Sequence, residues 1–296
     1  MSNFLRSIGF SDLSKFDLSQ LRDSVQINFN KHRNINVSQQ KVYVEYYKNC
    51  GDSIGLILNG IIDHDEIFHP VQFFAHAESD FNTHLSSFSL VSDTQGPLVF
   101  FKDKNTNNQI VFTMINTLDF IRDEKKFMDN VNDPKKDKNV NFTALSLGGK
   151  VILPASKSVK QIQKKEIVHS NMFILEPSLG MGGRPSTKEI YTTKKESLEA
   201  IRDRLQQEDF FSVVDSYLLP SNAQTDHLSP FYDILGTIKS LKEITNTETG
   251  ENIYRLTVET TTIPLQVFIN KKDLIGMPIV GMRFMGNGKL QGTTTV

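Results

Sequence analysis

The sequence predicts an α+β protein with an N-terminal domain around a largely antiparallel sheet, a helical connector and a small C-terminal β-barrel. Three observations lead to this prediction. The chain has 296 residues, a length at which proteins usually divide into more than one domain. Several short segments with alternating apolar residues follow one another in the first half of the chain. Five further strand candidates lie together near its end.

The N-terminal elements follow from changes in apolar period. Asp17 can cap a helix, Gln20 completes the capping box, and apolar residues at helical spacing extend the predicted helix to about residue 31. From Lys41 the period becomes two, which is typical of a half-buried strand. Because their connections are too short for helical crossovers, the strands should pair in an antiparallel sheet. The further strands are predicted at 54–62, 70–77, 85–91, 97–102 and 110–115.

The middle of the chain supplies the domain boundaries. A helix is predicted at about 117–130, and a hairpin is predicted around the glycine pair Gly148 and Gly149. A second capping box, Thr193 with Glu196, begins a helix that leads to a linker rich in Ser, Asn and Asp. The predicted organisation is therefore an α+β domain at 1–195, a helical connector and linker at 196–230, and the barrel at 231–296.

The C-terminal module has the strand order of an OB-like barrel. A short helical turn at 273–276 follows the third of its five strand candidates, as in oligonucleotide-binding barrels. An SH3-like barrel and a small sheet docked on the first domain are the alternatives. The candidates are 233–239, 252–260, 263–269, 281–285 and 289–295.

Composition limits the classes of partner. The formal net charge is -1 with 23% charged residues, so the chain offers no large field for a polyanion or an anionic membrane. Cys50 is the single cysteine, which excludes an intrachain disulfide and fits a reducing compartment. With no signal-peptide pattern and no apolar run near the roughly 20 residues of a membrane span, we expect a soluble, cytoplasmic protein.

The predicted barrel offers one candidate binding face. Period two places Tyr254, Leu256 and Val258 inside and leaves Phe268 outside near Arg255, where a ring could stack on a base or a sugar. A phenylalanine exposed by such counting is more often covered by a neighbouring domain, and acidic residues nearly cancel the basic ones of the module. The candidate binding residues are Arg255, Gln266, Phe268, Arg283 and Phe284.

A histidine-rich stretch is the one candidate for metal chemistry. Residues 64–84 contain His64, His69, His76 and His84 together with several carboxylates. On a strand, His69 and His76 have opposite parity and point to opposite faces, so one ion could not bind both without a bulge. No metal or other cofactor is therefore predicted, and a metal-dependent hydrolase is only a second alternative.

Several motifs resemble those of an uncharacterised domain-of-unknown-function family of low-GC Gram-positive bacteria, about 300 residues long. The resemblance implies no activity, cofactor or catalytic residue, since none is established for that family. Lys289 stands where the family pattern has tryptophan, and Ser221 and Asn222 replace its Tyr-Gly. The motifs are residues 3–11, 64–74, 143–154, 207–220, 233–238 and 273–292.

The sequence favours a non-enzymatic binding or scaffold protein whose barrel docks a partner. The observation is a mainly apolar stretch, 277–285, with three methionines that can supply an adaptable surface. The expected partner is a protein, with no membrane association. The alternative is nucleic-acid or nucleotide binding through the OB-like module.

Overall fold

The computed structural model describes residues 2–12, 17–38, 41–81, 83–85, 87–93, 96–102, 109–122, 138–154, 173–176, 186–189, 216–221 and 229–295. The chain divides into two compact units, one formed by 1–151 with 216–296 and the other by 152–215. The predicted boundaries near 195 and 230 fall in or beside residues outside the described ranges, and they stay predictions. Thr193, Glu196 and the connector helix also lie outside those ranges.

Strands dominate the described residues, so the chain is mostly β and the predicted α+β class is not confirmed. The helices are a 3₁₀-helix (Ser2–Ile8), α1 (Leu18–Ile27), α2 (Thr117–Arg122) and a 3₁₀ turn (Lys271–Asp273). None of these described helices has the length and apolar character needed to cross a membrane.

The first strands form a four-stranded antiparallel sheet in the order β1-β2-β3-β4. The last three correspond to predicted strands, whereas β1 was not predicted, because the first helix was expected to continue to about residue 31 and no element was assigned between it and Lys41. That helix stops at Ile27, and Asp17 caps it by accepting from the Ser19 amide at 2.9 Å. The strands are β1 (Lys31–Ser38), β2 (Lys41–Gly51), β3 (Ile54–Ile62) and β4 (Phe68–Ala77).

The remaining strands belong to a larger sheet and, in the second unit, to the antiparallel pair β10 and β11. Those of the middle of the chain are β5 (Thr83–Leu85), β6 (Ser87–Asp93), β7 (Gly96–Lys102), β8 (Gln109–Met114), β9 (Lys138–Ile152), β10 (Phe173–Glu176) and β11 (Ser186–Glu189). Those of the C-terminal part are β12 (Tyr217–Pro220), β13 (Phe231–Thr245), β14 (Asn252–Glu259), β15 (Pro264–Asn270), β16 (Leu274–Ile275) and β17 (Arg283–Thr295).

Five strands of the larger sheet close into a barrel, in the order β13-β14-β15-β9-β17 and back to β13. The predicted barrel is thus present, but one of its strands, β9, comes from earlier in the chain. β9 is parallel to β15, whereas β13, β14 and β15 form an antiparallel meander. β17 continues the sheet outward to β8, β7 and β6.

The hairpin predicted at Gly148 and Gly149 is wrong, because both residues lie inside the single strand β9. A Cβ atom built at Gly149 would be 2.5 Å from the Phe284 ring, and one at Gly286 would be 2.6 Å from the Gly148 carbonyl oxygen. Glycine is needed here for the close approach of β9 and β17 rather than for a turn. The predicted strands 281–285 and 289–295 likewise form one strand, β17.

Two hydrophobic clusters stabilise the first unit. One fills the barrel, with Leu256, Val258, Val267 and Phe284 among its members. The other lies between the outer face of the barrel and the four-stranded sheet with its two N-terminal helices. The four-stranded sheet therefore covers part of the barrel, as its contribution of β3 and β4 side chains to the second cluster shows.

Candidate functional site

Arg255, Gln266 and Phe268, three of the sequence-predicted binding residues, lie together on the outer face of the barrel. Period counting correctly places the Phe268 side chain outside the barrel, but the ring is 0% exposed because it packs in the cluster beneath the four-stranded sheet. The Arg255 guanidinium carbon lies 5.9 Å from the centre of that ring. The alternative that a neighbouring layer covers Phe268 is the one the structure shows.

The polar groups of this face join the barrel to the four-stranded sheet. Arg255 pairs with Asp80, which follows β4, and donates to Gln266 Oε1 at 3.0 Å and to Ser53 Oγ at 3.2 Å. The Asp80 amide donates to the same Gln266 oxygen at 3.2 Å. These contacts are within the chain, and a role of the residues in binding a partner stays a prediction.

The other two predicted residues lie elsewhere on β17. Phe284 is 0% exposed and belongs to the core of the barrel, where it meets the Gly149 backbone. Arg283 is buried next to it at the beginning of the strand, opposite Thr237 of β13. Alternation along β17 turns Phe284 into the barrel and Arg283 to the opposite face. Arg283 is nevertheless displaced from Arg255 along the sheet, because Thr237 pairs with both Arg283 and Glu259, and sequence reasoning could not establish this without the strand pairing.

His69 and His76 of the histidine-rich stretch are not brought to one point. His69 Nε2 lies 2.6 Å from Asp63 Oδ2, and His76 Nε2 lies 3.3 Å from Glu78 Oε1. His69 and His76 stand seven residues apart on β4, roughly 20 Å along the strand, too far for one ion. His84 lies on β5, and its side chain is outside the described part of the structure.

Hydrogen bonding lowers the pKa of the two carboxyl groups that pair with His69 and His76. The hydrogen bond with His69 and two backbone amides hold the pKa of Asp63 below its usual range, and the hydrogen bond with His76 lowers the pKa of Glu78. Asp63, His64 and Asp65 place ligand atoms within 4.8 Å of one another at the turn after β3. Exposed acidic turns commonly have this geometry without a metal, so the group supports no metal site.

The apolar stretch singled out in the sequence divides into a core part and an exposed part. Met282 packs against the barrel cluster, and Pro278 is buried. The residues that we call the apolar loop are 275–280, which are the last residue of β16 and the connection toward β17, and they expose four large side chains. The exposed fractions are Ile275 62%, Met277 76%, Ile279 55% and Val280 59%.

Both ends of the apolar loop are held by the barrel: at its beginning Ile275 of β16 pairs with Lys150 of β9, and at its end two backbone hydrogen bonds join it to β13. The Gly281 amide donates to the Ile238 carbonyl at 2.9 Å, and the Ile238 amide donates to the Met282 carbonyl at 2.8 Å. Gly276 and Gly281 have φ values of 86° and 93°, a region that favours glycine. The loop is therefore a defined surface feature whose glycines turn the chain at each end.

A cavity of about 240 Å³ explains the position of Lys289. Its side chain lies on the outer face of the barrel beside Phe4 and Phe231, with Gln72 and Phe73 of β4 on the other side. Burial among these groups lowers the pKa of Lys289. The residue that replaces the expected tryptophan is therefore partly buried beside several aromatic rings.

Comparison with known proteins agrees with the motif resemblance. No curated protein and no solved structure is significantly similar to the chain. A family model described as "Domain of unknown function, E. rectale Gene description (DUF3881)" matches residues 5–292. The match extends over both the four-stranded sheet and the barrel. The chain therefore belongs to the DUF3881 family of domains of unknown function.

Proposed function

We propose that this chain is a non-enzymatic, cytoplasmic binding protein that docks a protein partner through the apolar loop of its barrel. The observation that carries the proposal is the exposure of four large apolar side chains within six residues. Contiguous exposed apolar surface is typical of protein interaction sites, and Met277 can adapt its shape to a partner. A loop fixed at both ends loses little conformational entropy on binding.

Charge pairing favours a protein over nucleic acid. Lys239 pairs with Glu259, Lys271 with Glu243 and Lys272 with Glu251, so these three lysines of the C-terminal part already have carboxylate partners. A single-strand binding surface instead combines unpaired basic groups with exposed aromatic rings. The Phe268 ring, the aromatic candidate for such a surface, is covered.

The barrel topology supports the OB-like assignment. A three-strand antiparallel meander is followed by the 3₁₀ turn Lys271–Asp273, and a later strand returns to pair with the first. Up to the helical turn this is the order that the sequence led us to propose, whereas the two strands proposed after the turn are the single strand β17. β9, from before the meander, takes the remaining position between β15 and β17. The OB-like form is the reason to retain nucleic-acid binding as an outcome of the test.

The test removes the apolar character of the loop. We expect the triple variant Met277→Ser, Ile279→Ser, Val280→Ser to lose at least about tenfold in affinity for the partner captured by the wild type, because anchor side chains carry most interface energy. Its melting temperature should change little, since the three side chains are exposed. The measurement is affinity capture from lysate with nuclease present, followed by titration of the captured protein.

A control variant removes exposed apolar side chains from a different surface of the protein. Val37→Ser with Val71→Ser removes side chains that are 57% and 56% exposed on the four-stranded sheet, and this variant should retain the partner. Capture that is equal in the loop variant and the wild type would contradict the proposal. Capture that depends on nucleic acid and disappears on nuclease treatment would favour the alternative function.

A further inference from the structure

A cleft of about 320 Å³ opens on the face of the four-stranded sheet opposite to the N-terminal helices. Register places Lys31 opposite Tyr47 and Arg33 opposite Glu45, so these four side chains lie on one face of β1 and β2. His76 of β4 lines the same cleft. Its volume is at the lower end of the range for small-molecule sites.

The opposite wall comes from the larger sheet. Ile115 and Asn116 after β8, Asn141 of β9 and Thr293 of β17 line it. All of these residues belong to the same compact unit as the four-stranded sheet. The cleft is thus enclosed by two layers of the fold rather than formed by a single loop.

Three buried polar atoms of the lining residues have no hydrogen-bond partner in the described part of the chain. They are Glu45 Oε2, His76 Nδ1 and Asn141 Oδ1. Glu45 and His76 are more than nine-tenths buried. Because an unsatisfied buried polar atom is costly, a group of them beside one cleft points to a polar ligand that supplies the missing partners.

The charges beside the cleft are of both signs. Lys31 lies exposed at its rim, and Arg33 pairs with Asp119 of α2. Glu45 is the buried carboxyl group next to these cations, and its pKa is raised to about 7 by burial, with Arg33 and Lys31 opposing the rise and Asp119 adding to it. Glu78 is held by His76, which leaves Glu45 as the carboxyl group with an unpaired oxygen.

We propose that this cleft binds a small zwitterion of the amino-acid type, with its carboxylate at Lys31 and Arg33 and its ammonium group at Glu45 and Asn141. The ammonium group supplies hydrogen-bond donors to the Glu45 and Asn141 oxygens, and the carboxylate meets the cationic rim. The site is separate from the apolar loop, so the two proposals fail or succeed independently.

Binding in this mode depends on pH through Glu45. The ligand ammonium group pairs with the ionised carboxylate, so affinity should rise by up to about tenfold per pH unit between pH about 5 and about 7 and then level off. The other charged groups near Glu45 are Lys31 and Arg33 on β1 and Asp119 on α2, and His76 and Glu78 also line the cleft. Glu45→Gln isolates the contribution of Glu45 from theirs.

The experiment titrates the full chain with a panel of standard L-amino acids at pH 8, by calorimetry and thermal shift. We expect at least one to bind and to lose at least about tenfold in affinity when its carboxylate or its amino group is removed. Lys31→Met and Asn141→Ala should lower the affinity for that amino acid by a similar factor, and Glu45→Gln should abolish the pH dependence of its binding. Lys41→Met, an exposed lysine outside the cleft lining, should leave binding unchanged.

Two results would overturn the assignment. One is that no amino acid of the panel binds to the wild type at pH 8. The other is that an amino acid binds with the same affinity and pH dependence in the wild type and in folded Glu45→Gln and Lys31→Met variants. Because the Glu45→Gln change is isosteric and removes a buried titratable group, the variant is expected to fold, which keeps this second result interpretable.

Discussion

Replacing Phe268 with alanine is expected to lower the free energy of unfolding by about 3 to 5 kcal/mol. The ring is 0% exposed and packs with Leu5, Ile8 and Leu56 of the N-terminal layer, so its removal leaves a cavity between that layer and the barrel. Arg255 also loses the ring beside its guanidinium group. The measurement is equilibrium unfolding in urea by circular dichroism.

Two further variants make the Phe268 result specific. Phe268→Leu should cost less than half as much, because leucine fills most of the space. Phe81→Ala, at a partly exposed site after β4, should change stability by less than about 1 kcal/mol. If Phe268→Ala leaves stability unchanged, then the ring is exposed to solvent. That result would favour the alternative in which Phe268 stacks on a base.

Replacing Glu45 with glutamine is expected to stabilise the protein at pH 8 by about 1 to 3 kcal/mol and to leave it nearly unchanged at pH 4. Burial is the main cause that raises the pKa of Glu45 to about 7. Between the ordinary value of 4.5 and about 7, the folded state therefore holds a proton that the unfolded state releases. The Glu45 contribution to stability is thus lost as pH rises through this window and stays lost above it.

The measurement is the difference in unfolding free energy between variant and wild type across pH 4 to 8. Taking the difference removes the pH dependence that the other titrating groups contribute to both proteins. Glu66→Gln, at an exposed turn position, is the control for the same substitution outside the interior. A flat difference for Glu45→Gln would show that its carboxyl group is not buried as described. A stabilisation that grows toward low pH would show that folding lowers the pKa of Glu45 rather than raising it.

Local patterns predicted β2, β3 and β4. Period two identified β2, whereas β3 is an apolar segment whose residues 54–60 are all buried, and Asp17 correctly marks the beginning of α1. β1 was missed because its sequence, KHRNINVS, is mostly polar and exposed, without the alternation that identifies a half-buried strand. The cleft was missed with it, because Lys31 and Arg33 meet Glu45 only through the pairing of β1 with β2.

Glycine and long-range pairing account for the main errors in the barrel. The pair Gly148 and Gly149 suits a hairpin turn as well as a crowded strand crossing, and sequence alone does not distinguish the two. The recruitment of β9 as a barrel strand depends on contacts across more than a hundred residues of sequence. The outward orientation of Phe268 was predictable from period two, whereas the layer that covers it was not.

We expect the apolar loop to be exposed in the free protein and covered in its complex, and the rate of methionine oxidation measures this directly. With dilute hydrogen peroxide and peptide mass spectrometry, Met277, 76% exposed, should oxidise much faster than the buried Met114. The captured protein partner should slow the oxidation of Met277 without changing that of Met114. A rate for Met277 that is as slow as that of Met114 in the free protein, or that is unchanged in the complex, would contradict the account.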